Sequence, residues 1–126
     1  MSVVTQLTRV ERPRIDMDQI EMLYRNLGPY GAEAVIASGL DDVSGKLSLV
    51  HIAACTGPTE ELHKALRDAA LAADQIGLVG LAQTARDAMQ CIEDGDPIAE
   101  AATLSRLGRL GDGAIGALNA VRTVSG

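Results

Sequence analysis

The chain has no Phe, no Trp and two Tyr among its 126 residues, so aromatics make up 2% of it while hydrophobic residues make up 47%. A core without rings must be assembled from Leu, Ile, Val, Met and a great deal of Ala, which suits closely packed helices better than a β-sandwich. An all-α protein is expected. Cysteine is scarce as well: Cys55 and Cys91 are too few for a disulfide framework and lack the paired spacing of a zinc site, so both are expected to be buried free thiols. No apolar run approaches the roughly 20 residues that a bilayer span needs, and the N-terminus lacks the basic-then-apolar layout of a signal peptide. A cytoplasmic protein with no membrane partner is the expectation. Cationic residues are outnumbered, with eleven Lys plus Arg against seventeen Asp plus Glu and a formal net charge of −6. That field repels phosphate backbones, so nucleic acid is not an expected partner.

The length suits one domain with its own core. Residues 1–14 have weak periodicity and end in Arg12-Pro13-Arg14, which reads as an N-terminal tail laid on a domain of residues 15–126. Asp16 is the expected N-cap of a short helix to about Asn26, with Ile20, Leu23 and Leu27 on one stripe and Gly28-Pro29 as its stop. In the next helix, over about 31–54, Ile36, Leu40, Val43, Leu47, Val50 and Ala54 recur at alternating steps of four and three. Thr59 reads as the N-cap of a third helix that reaches Ile76-Gly77, with Glu60 and Glu61 complementing the dipole of its first turn. A fourth covers about 78–92, with Leu81, Ala85, Ala88 and Met89 inward, and breaks at the acidic run 93–96. Pro97 suits the first turn of a last helix, in which Leu104, Leu107, Ala114, Leu118 and Val121 form the stripe. Short connections between long amphipathic helices predict an antiparallel four-helix bundle with an additional short N-terminal helix.

The third helix carries the functional information. At about 100° per residue, Leu62, Ala65, Leu66, Ala69, Ala72, Ala73 and Ile76 fall together as the core stripe. The opposite side holds Glu60, His63, Lys64, Arg67, Leu71 and Asp74. His63 and Arg67 stand at i and i+4, so their Cβ atoms are about 6 Å apart on the outer face.

Gly57-Pro58, Leu62, Ile76-Gly77 and Leu81 reproduce a frame that resembles the histidine-containing phosphotransfer (Hpt) family, single-domain helical bundles that shuttle a phosphoryl group between receiver aspartates. The resemblance covers helix order and length over roughly 15–121. It implies a module of two-component phosphorelay signalling whose partners are a response-regulator receiver domain or a histidine kinase, at most a phosphocarrier, with no cofactor and no metal. Counting from either end of the frame, the family's phosphoacceptor His falls on Arg67, its following Leu on Ala69, its Lys on Ala70 and its Gly on Leu71.

These departures have chemical consequences. A phosphocarrier needs a neutral imidazole nitrogen able to attack in line, with cations balancing the moving charge. A guanidinium keeps its proton and offers no lone pair, so Arg67 cannot carry phosphate. Ala70 removes a cationic clamp, and Leu71 adds bulk where a receiver must approach closely. A phosphoacceptor shifted one turn, to His63 with Lys64 and Arg67 nearby, is the one catalytic candidate. Otherwise Lys64, Arg67, Ala70 and Leu71 form a partner-binding spot that docks a receiver or kinase without transfer. The competing reading is a structural bundle whose Ala- and Gly-rich helices serve self-association.

Other patterns carry less. Residues 111–116, Gly-Asp-Gly-Ala-Ile-Gly, match a dinucleotide fingerprint, but follow no strand and leave too little chain for a βαβ unit. Close packing or a kink in the last helix is the expected role. His51, expected to be partly buried, stands four residues before Cys55, a spacing without further metal ligands. Asp41-Asp42 and Glu60-Glu61 read as solvated or helix-start charges.

Overall fold

In the computed structural model, the backbone is described for residues 14–125 and side chains for residues 14–120. All regular elements among them are helices: α1 (Met17–Thr56), α2 (Thr59–Gln75), α3 (Val79–Asp94) and α4 (Pro97–Ser125). Each helix packs on its neighbours in sequence, and α1 meets α4 more sparsely. The expected tail, Arg14 apart, lies outside the described residues, as does the side chain of Val121.

Asp16 caps α1 as expected, its Oδ1 accepting from the Gln19 N–H at 3.2 Å. The stop read at Gly28-Pro29 is a break within α1: Gly28 has φ 74° and ψ 173°, outside the helical region, and Pro29 follows. A residue with a Cβ would be strained there, and proline lacks the N–H that would continue the ladder. Beyond the break the helix resumes and buries Ala32, Ile36, Leu40, Val43 and Val50. Two stripe positions differ from expectation. Leu27 is half exposed, and Ala53 rather than Ala54 packs against the core.

The N-cap of α2 is Pro58, with no side-chain cap bond, so Thr59 belongs to the helix instead of preceding it. The turn after α2 is tied to the start of α1 by four hydrogen bonds. Gly77 adopts φ 77°, its carbonyl accepts from the Asp16 N–H at 2.8 Å, and a Cβ on it would meet Asp16 O at 3.2 Å. Gly80 donates to the Arg14 carbonyl, and the Gln19 amide donates to Asp74 O at 3.1 Å and Gln75 O at 2.9 Å. The start of α1 thus supplies partners for carbonyls that the end of α2 leaves without intrahelical bonds.

Ala69, Ala70, Ala72 and Ala73 of α2 and Ala82, Ala85 and Ala88 of α3 are buried, so short side chains let these helices approach closely. Thr84, the one buried polar side chain among the described residues, donates to Gly80 O at 2.9 Å. α3 ends at Gly95, whose N–H reaches Cys91 O and Ile92 O. Asp96 then caps α4, accepting from the Ala99 N–H at 3.0 Å, and Pro97 stands in the first turn as expected. Leu107, Leu110, Ala114 and Leu118 complete the core. Gly111 is buried against α1, where a Cβ would come within 2.6 Å of Leu47 Cδ1, which is the close-packing role expected of that glycine.

Candidate functional site on the α2 and α3 face

The outer face of α2 is divided by its neighbours. His63, Arg67 and Leu71 border α3, whereas Lys64 lines a separate groove of about 320 Å³ on the α1 side with Leu49, Ile52, Glu61 and Asp68. Consecutive residues differ by about 100° around a helix, enough to send His63 and Lys64 to opposite flanks. The structure therefore does not place Lys64 in the same groove as Arg67. Ala70, expected at the docking surface, is 2% exposed. It forms the floor of the α2/α3 groove because α2 is covered on both flanks, making its buried stripe wider than a single core-facing row.

That groove measures about 290 Å³ and is lined by Arg67, Ala70 and Leu71 from α2 and Arg86, Met89 and Glu93 from α3. Two polar bridges cross it. At one end His63 Nε2 and Glu93 Oε2 are 3.1 Å apart; at the other the Arg86 guanidinium donates to the Asp74 carboxylate. The earlier residue of α2 pairs with the later residue of α3. Eleven residues separate His63 from Asp74, so the bridges stand roughly 16 Å apart along α2. Between them Leu71 is 53% exposed, and Arg67 is exposed with no hydrogen-bond or ion-pair partner among the described residues.

His63 is half buried instead of freely exposed. With its Nε2–H donated to Glu93, the imidazole lone pair is left on Nδ1. Nε2 could take a phosphoryl group only by giving up this bond, and the carboxylate would then face the incoming negative charge. Glu93, Arg86 and Met89 were missed in the sequence. Residue 93 reads locally as part of an acidic break, and no local signal pairs it with His63.

The other candidates lie elsewhere. His51 is exposed, contrary to expectation, in an open cleft of about 700 Å³ between α1 and α4 together with Ser44, Ser48, Ser105, Arg109 and Asp112. Cys55 is exposed and Cys91 half buried, with Cys91 Sγ 3.7 Å from Thr103 Oγ1, so neither is the fully buried thiol expected. Among the described residues no group of three or more His, Cys, Asp or Glu is placed to hold a metal, and no helix is long and apolar enough to cross a membrane. Compared with known proteins, the chain matches no family model, no curated sequence and no solved structure.

Proposed function

We propose that this chain is a degenerate phosphotransfer-type bundle, antiparallel in its helix order, that docks a receiver domain or histidine kinase in cytoplasmic two-component signalling and does not itself carry phosphate. The observation that carries the reading is the α2/α3 groove. Arg67, which the sequence count sets at the resembled family's phosphoacceptor position, lines it beside an exposed Leu71 and above a floor of Ala70. An apolar spot rimmed by charge is suited to protein contact, while a guanidinium cannot act as the nucleophile. The two bridges link α2 to α3 at either end of the groove. The Glu93 carboxylate occupies His63 Nε2, so a shifted phosphosite would have to use Nδ1.

Incubation with a panel of phosphorylated receiver domains tests the proposal. Saturable receiver binding without acid-labile phosphate on this chain is expected. Label that disappears in His63→Gln would instead make His63 a displaced phosphoacceptor. A second reading, self-association through the C-terminal half of α1, draws on Leu49 and Ile52, which are 53% and 56% exposed. Sedimentation of a concentration-independent monomer would reject it.

A further inference from the structure

We infer that the occupant of the α2/α3 groove is an amphipathic helix that sets one carboxylate on Arg67 and, one turn away, an apolar side chain over Leu71 and Met89. This rests on the reading of the groove as a docking face and specifies the chemistry of what docks there.

Three features lead to it. First, the walls are two helices whose backbone groups are already bonded within each helix, so the groove offers no row of free N–H and C=O groups to an extended strand. An occupant that loses water there must satisfy its own backbone, as a helix does. The bridges stand roughly 16 Å apart along α2 and roughly 10 Å apart along α3, which accommodates about two to three turns.

Second, the charges are unevenly satisfied. Arg86 is engaged by Asp74 and Glu93 by His63, which leaves Arg67 as the cation of the groove without a partner among the described residues. Covering an unpaired guanidinium is unfavourable unless the partner brings an anion, and its planar fork matches a carboxylate. A phosphate dianion fits less well, because the Asp74 and Glu93 carboxylates stand at the two ends of the same groove. Third, Arg67 and Leu71 lie at i and i+4 on α2, about 6 Å apart along its axis. The complementary pair on the occupant is therefore also separated by one turn.

The test uses alanine-based helical peptides of about 15 residues that carry Glu and Leu at i and i+4, labelled for fluorescence anisotropy and titrated with the full chain. Comparison peptides carry Gln, Lys or phosphoserine in place of Glu. Binding of the Glu peptide is expected to weaken at least about tenfold on Arg67→Glu, and the Lys peptide is expected to recover affinity for that variant. Equal affinity of the Glu and Gln peptides, or equal binding by the wild type and Arg67→Glu, would overturn the inference, as would the absence of peptide binding. Tightest binding of the phosphoserine peptide would replace the carboxylate by a phosphate and also overturn it. Receiver binding that is saturable but indifferent to Arg67→Glu would defeat this inference while leaving the docking reading in place. A charge-swapped peptide response with no receiver bound would do the reverse. Arg67 is exposed, so matched thermal melts of the variant and wild type establish that the fold is retained.

Discussion

Replacing Gly39 with alanine probes how tightly α1 packs on the end of α2. A Cβ at this position would fall well inside van der Waals contact of Ile76 Cγ2 and 3.5 Å from Ile76 Cβ and Cδ1. Ile76 is 1% exposed, and its Cγ2 hangs directly on a branched Cβ, so it moves only if the stiff χ1 torsion or a helix moves. Such overpacking costs about 1–3 kcal/mol, against a gain of up to about 1 kcal/mol from replacing a helical glycine. Gly45 is the internal control: it lies in the same helix, and nothing stands within 4 Å of its added Cβ. Gly45→Ala should therefore raise stability where Gly39→Ala lowers it. The two variants should be separated by roughly 1–3 kcal/mol, or about 4–12 °C in Tm for a domain of this size. Calorimetric melts of both measure the gap. In an Ile76→Ala background the penalty at residue 39 should vanish, since the clashing methyl is gone. Gly39→Ala as stabilising as Gly45→Ala would refute the packing described.

Gln19→Ala removes both amide bonds to the last carbonyls of α2 and should cost about 1–2 kcal/mol, read as a lower urea midpoint with unchanged slope; an unchanged midpoint would mean that water replaces the amide at no cost. Leu66→Ala, at a site 0% exposed, should cost about 2–5 kcal/mol, whereas a loss below 1 kcal/mol on the same urea curves would show that the core collapses around it. Arg67→His alone should not confer phosphotransfer, because Leu71 still projects from the face and no cation replaces the buried Ala70. Rapid exchange of phosphate from a receiver onto that variant would contradict this.

Much of the helix order was legible because its signals are local. Asp16, Gly28-Pro29, Gly77 and Gly95 act through backbone geometry within a few residues, and the sequence displays them directly. What stayed hidden depends on which helix lies on which flank. Ala70 looks like an outward position until α3 covers it, and Lys64 seems a neighbour of His63 until α1 and α3 divide their faces. The exposure of His51 follows from the sparse meeting of α1 and α4, which periodicity along one helix does not encode. The bridges from His63 to Glu93 and from Asp74 to Arg86 were equally out of reach. Each joins residues many positions apart whose local sequence offers a different reason for its charge.

The most direct measurement incubates the wild type and His63→Gln with phosphorylated receiver domains, scoring both complex formation and acid-labile phosphate on this chain. Saturable binding with no label on either protein is the outcome expected of a docking module whose central position is Arg67. Label on the wild type that is lost in His63→Gln would contradict it and return phosphotransfer to the α2 face.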